Sequence, residues 1–93
     1  MNPSSFETRL RADGYDDIET KQLPAGTDNT AHDHPYDVCA LVLEGEITLT
    51  VDGAARAYRN GDVFTMAAGC RHAEQIGDEG VRYLVGRRRG PQS

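Results

Sequence analysis

Apolar positions in this chain fall mostly at period two or in short runs, with one helical exception at the start. There, Ser4 followed three residues later by Glu7 has the form of a capping box, and Phe6 with Leu10 sets an apolar stripe four residues apart. A short helix is expected over about residues 5–12, ending near Gly14. Ile18 to Leu23 then alternates weakly and is closed by Pro24 and Gly26, which reads as an edge strand. The run Val38 to Leu43 is wholly apolar, as a strand covered on both faces would be, and Glu44-Gly45 reads as its turn.

The strongest alternation covers Glu46-Ile47-Thr48-Leu49-Thr50-Val51, and Asp52-Gly53 behind it is a hairpin signal. Ala54 to Arg59 is expected to return antiparallel, Asn60-Gly61 to turn again, and Val63 to Met66 to continue as a strand. After a loop of small residues at Ala67-Ala68-Gly69, His72 to Ile76 and Val81 to Val85 form the last two strands, joined across Gly77-Asp78-Glu79-Gly80. Some seven or eight short strands separated by turns predict an all-β sandwich or barrel with a marginal helix.

Length and charge narrow the picture. A chain of 93 residues is expected to form one domain, with a barrel core over about 18–86. Its net charge of −5 argues against nucleic acid and anionic lipid as partners. Arg87, Arg88 and Arg89, ahead of Gly90-Pro91-Gln92-Ser93, read as a flexible basic tail over 87–93. With two cysteines, Cys39 and Cys70, and no apolar leader or spanning run, the expectation is a reducing, cytoplasmic setting away from membranes.

The chemistry-bearing residues are the histidines. His32 and His34 are one residue apart, so on an extended strand both imidazoles face the same side and can share an ion. His72, downstream of several strands, can join them where an antiparallel sheet folds back. Three neutral imidazoles suit a divalent transition metal, with iron, zinc, nickel and manganese as candidates. Three ligands without a fourth leave positions open to a small organic ligand.

These residues resemble the two motifs of the cupins, small jelly-roll (double-stranded β-helix) barrels that carry a metal inside. Gly26, five residues, His32-Asp33-His34 and then Gly45 match the first motif, with Val38 at the position of its glutamate. Gly61, Gly69 and His72 match the second, with Ala67 for its proline and Ile76 for its asparagine. The resemblance implies a jelly-roll barrel with a short N-terminal helix and a metal held by His32, His34 and His72. Loss of the glutamate looks like the three-histidine class of thiol and diketone dioxygenases, which use ferrous iron, and so implies a dioxygenase-like activity. A homodimer is also implied, with edge strands available for pairing.

Three neighbours are candidates for outer-shell or substrate contacts. Glu74 shares the parity of His72, Asp37 could reach inward only if a bulge at Pro35 shifts the phase, and Tyr36 stands between core and pocket wall. Arg71 could meet an anion at the barrel mouth or be solvated. Two other functions remain open at this level: a non-catalytic small-molecule binding or sensing module, and a metal-free structural barrel.

Overall fold

The structure, a computed structural model, describes residues 2–89. Helix α1 spans Pro3–Ala12, and six strands follow: β1 Asp16–Leu23, β2 Asp28–His32, β3 Tyr36–Val51, β4 Ala54–Arg59, β5 Val63–Met66 and β6 His72–Arg89. Every pairing is antiparallel. The two long strands form the spine, pairing from Tyr36 opposite Arg89 to Thr50 opposite Ala73. One half of the spine takes β1 on the β6 side and β5 on the β3 side; the other half takes β2 and β4 in the same way. Two four-stranded layers result, folded over a shared interior as a jelly-roll barrel.

What folds the spine over is a phase change in both long strands. Val38, Ala40 and Val42 face inward on β3 before the bend, whereas Ile47 and Leu49 do so after it. On β6 the inward set switches from His72 and Ile76 to Val81, Tyr83 and Val85. Register shifts between Val42 and Glu44 and between Gly45 and Ile47 mark the switch on β3. Gly45 sits there at φ +81°, and a Cβ on it would lie 1.9 Å from the Gly80 carbonyl oxygen, so only glycine fits. Glu44-Gly45 and Gly77–Gly80 are therefore bends within continuous strands, and the expected seven or eight strands become six.

The barrel interior holds Phe64, Met66, Ile76, Val81, Tyr83 and Val85 together with the inward residues of β3. On the outer face, Phe6 and Leu10 of α1 pack on Leu41 and Leu84. This second layer explains why Val38 to Leu43 carries no polar residue: even positions face the barrel and odd positions the helix. The helix starts earlier than expected because Asn2 caps it, its side chain accepting from the Ser5 N–H at 2.7 Å with Pro3 in the first turn. Glu7 instead pairs with Arg11 one turn on. Gly14, at φ +85°, ends the helix as expected.

The hairpin at Asp52-Gly53 is as expected, with φ +51° and +79° as a type I′ turn requires. Arg87, Arg88 and Arg89 are not a tail. They close β6, paired with Val38, Asp37 and Tyr36, and the rest of the expected tail, residues 90–93, lies outside the described residues. Among the described residues no helix is long and apolar enough to cross a membrane.

Candidate metal centre

Three short stretches of chain bring the histidines together. His32 ends β2 and is the direct partner of His72, the first residue of β6. His34 lies just past the strand, in the connection to β3, and its carbonyl accepts from the Gly69 N–H at 2.8 Å. The turn at Ala67–Gly69 that launches β6 is thus tied to the histidine it must face. Ring centroids are 4.5 Å apart for His32 and His72, 4.8 Å for His32 and His34, and 5.3 Å for His34 and His72.

Hydrogen bonds set which nitrogen of two rings is free. His32 Nδ1 lies 2.7 Å from the Thr30 carbonyl oxygen and His72 Nδ1 lies 3.0 Å from that of Cys70. A carbonyl oxygen only accepts, so each Nδ1 carries a proton and donates, and in the neutral ring the lone pair is then on Nε2. His72 is 2% exposed, and its Nε2 is buried with no hydrogen-bond partner. An orphaned buried nitrogen is costly unless something coordinates it. At His34, burial first, then the neighbouring His32 and His72 rings, lower the pKa and favour the neutral form that binds metals.

One ligand atom from each histidine lies within 4.8 Å of the others. Donors on a tetrahedral ion with bonds of about 2.1 Å stand about 3.4 Å apart, so the widest pair has to draw in by at most about 1.4 Å, within the reach of side-chain rotations. The donor set therefore fits an ion.

Tyr36 stacks on His34, centroids 5.0 Å apart and nearly parallel at 11°. Glu74 Oε2 lies 3.6 Å from His72 Nε2, beyond hydrogen-bond length, while Oε1 accepts from Asn29 Nδ2 at 2.8 Å. Asp37 is turned away from the cavity. Its Oδ1 accepts from the Ala68 N–H at 2.8 Å and its Oδ2 from Arg88 Nη2 at 3.0 Å, and these two bonds hold its carboxyl below the usual range. Strand alternation thus wins over the phase shift considered for Pro35. Arg88 also donates to the Asp13 carbonyl at 2.9 Å and stacks on Tyr15, which links the helix end to the turn before His72.

His32 and His34, with His72 buried beside them, open into a cavity of about 480 Å³ walled by Val38, Phe64, Met66 and Val85 on its apolar side and by Lys21, Asn29, Tyr36, Glu74, Tyr83 and Arg87 on its polar side. Val38, where the cupin motif has glutamate, supplies hydrocarbon. Burial pushes the Tyr83 phenol up to about 12, so it is a hydrogen-bond donor at neutral pH. Arg71 is exposed and outside the cavity lining. Cys39 packs under the helix, where burial raises its thiol pKa, and Cys70 packs against the barrel core. Lys21 and Asn29 drew no attention in the sequence. The parity of Lys21 with Leu23 carried a usable signal, whereas Asn29 lies in a polar stretch that carries none.

Comparison with known proteins agrees with this geometry. A family model described as a cupin domain matches residues 20–86. A Rhizobium leguminosarum protein of unknown function superposes with TM-score 0.73 at 19% identity, over 78% of this chain and 69% of its own. The cupin domain of Schizosaccharomyces pombe Cnp3 gives 0.70 at 21% identity, over 78% and 55%. The Ruegeria pomeroyi enzyme DddQ, a DMSP lyase, gives 0.70 at 26% identity, covering 82% of this chain but only 39% of the enzyme. No curated protein sequence matches the chain. With the family model spanning most of the chain and the barrel reproduced by its structural neighbours, this protein belongs to the cupin family.

Proposed function

We propose that this cupin domain holds a divalent transition metal, one of iron, zinc, nickel or manganese, through His32, His34 and His72, and presents it to a small organic ligand in the adjoining cavity. The observation that carries the reading is His72 Nε2, buried and unpartnered beside two other imidazoles. Bound there, the ion would supply Lewis-acid or oxygen-activating chemistry. The chain's own residues do the rest. The Nδ1–H bonds of His32 and His72 to carbonyls fix the rings, Val38, Phe64 and Met66 exclude water, and Tyr83 offers its hydroxyl as a donor to a ligand.

Glu74 favours an enzyme over a passive binder, because its carboxylate stands next to the centre and is oriented by Asn29 for proton transfer. Hydrocarbon at Val38 in place of the family's glutamate supports the oxygen-dependent version. Likeness to a lyase at 26% identity supports a second reading, non-oxidative elimination. Elemental analysis of protein purified without chelator tests the site, with about one metal per chain expected and a metal-free protein overturning it. Oxygen uptake by the iron-loaded protein with small thiols and diketones then separates the two chemistries. We further propose a homodimer in a cytoplasmic setting, paired through the free edge of β1; a monomeric mass in solution contradicts it.

A further inference from the structure

We infer that the cavity takes a small organic acid, with its carboxylate held by Lys21 and its other end facing His32 and His34 of the histidine group. Lys21 is the direct antiparallel partner of Tyr83, and residues opposite one another on neighbouring strands share a face. Tyr83 is part of the barrel core at 5% exposure, so Lys21 also points inward, and it lines the cavity that the histidines open into. Lys21 is half-buried there, so its ammonium is within reach of a ligand that enters the cavity.

The described residues supply no counter-ion for that ammonium. Of the other charged groups on the cavity wall, Arg87 is neutralised by Glu19 at 2.8 Å and Asp17 at 3.5 Å, and Glu74 is held by the neutral Asn29 amide rather than by Lys21. Asp28 sits exposed at the lip. Among the described residues no carboxylate lies within ion-pair distance of Lys21. A ligand carboxylate that replaced water at this ammonium would make a charge-assisted hydrogen bond.

The cavity wall also carries the Glu74 and Asp28 carboxylates, so the attraction for an anion is local to Lys21 rather than a field of the whole cavity. At about 480 Å³ the cavity is of the volume usual for small-molecule sites. Tyr83, held protonated, stands beside Lys21 as a second donor for a carboxylate oxygen.

The histidine end of this inference rests on the metal proposed above, whereas the lysine end does not. Calorimetric titration with 3-mercaptopropionate and with its amide, metal content being measured on the same samples, tests both ends separately. Wild-type protein is expected to bind the acid about tenfold to a hundredfold more tightly than the amide, the range of one charge-assisted hydrogen bond. Lys21→Met is expected to abolish that preference at unchanged metal content, and Lys21→Arg to retain it. Equal binding of acid and amide by the wild type, binding of neither, or a preference that survives Lys21→Met overturns the inference. A metal-free protein that still prefers the acid, and loses the preference with Lys21→Met, would sink the metal proposal and leave the lysine assignment standing.

Discussion

Gly45→Ala tests the bend on which the meeting of the histidines depends. Gly45 lies at φ +81°, and a Cβ added to it would stand 1.9 Å from the Gly80 oxygen, 2.8 Å from the Gly80 carbon and 2.9 Å from the Val81 Cα. All three are backbone atoms, so no side chain can swing aside. Two costs add: about 1–2 kcal/mol for an L side chain in left-handed backbone, and about 1–3 kcal/mol for forcing packed chains apart. The expected loss of about 2–5 kcal/mol is a large part of the whole, since a domain of this size has about 5–14 kcal/mol in total.

Gly53→Ala is the internal control. Gly53 has nearly the same φ, +79°, but nothing lies within 4 Å of its would-be Cβ, so only the conformational cost of about 1–2 kcal/mol applies. Urea unfolding of both variants in chelator should therefore show Gly45→Ala less stable than Gly53→Ala by about 1–3 kcal/mol with an unchanged denaturant slope. The melting temperature of Gly45→Ala should drop by about 10 °C or more. If the two variants unfold within about 0.5 kcal/mol of each other, the close approach of β3 to β6 at the bend is refuted.

Three further outcomes are expected. Asp37→Asn keeps an acceptor for the Ala68 N–H but loses the ion pair with Arg88; because the folded-state pKa of Asp37 is depressed, its contribution is present above the ordinary carboxyl pKa and lost as pH falls through the lowered one. The variant should be less stable near neutral pH and lose less stability on acidification, and parallel acid-unfolding curves would contradict this. Leu10→Ala, at a position 1% exposed on the inner face of helix α1, should cost about 2–5 kcal/mol in urea without altering metal content, and a cost below about 0.5 kcal/mol would mean the helix does not pack as described. Val38→Glu places a carboxylate on the buried cavity wall; the metal-free variant should lose about 3 kcal/mol or more and recover on adding zinc, whereas equal thermal stability with and without zinc would show that position 38 does not face the ion.

How much of this could be read from the chain depended on how local each signal was. The Asp52-Gly53 hairpin, the alternation of Glu46–Val51 and the spacing of the glycines around His32, His34 and His72 are local or motif-borne, and the structure shows the hairpin, the strand and the histidine group. Strand β2 has the sequence Asp-Asn-Thr-Ala-His, with no strand pattern of its own. Its order comes from pairing with β6, where Asp28 meets Gln75 and His32 meets His72. Glu44-Gly45 looks like a turn in either setting, and only the unbroken partner strand makes it a bulge. Arg87 and Arg88 resemble a solvated tail until Glu19 and Asp37, many residues away, are seen to neutralise them. Long-range partners were the missing information in each case.

The central claim is that three imidazoles act on one ion, and titration with cobalt(II), followed by its visible absorption, tests it most directly. Wild-type protein is expected to bind one cobalt per chain, and His72→Ala to bind it at least about a hundredfold more weakly, since loss of a ligand should exceed the 10–100-fold effect of an outer-shell partner. A wild type that takes up no cobalt, or a His72→Ala variant with undiminished affinity and an identical spectrum, would contradict it.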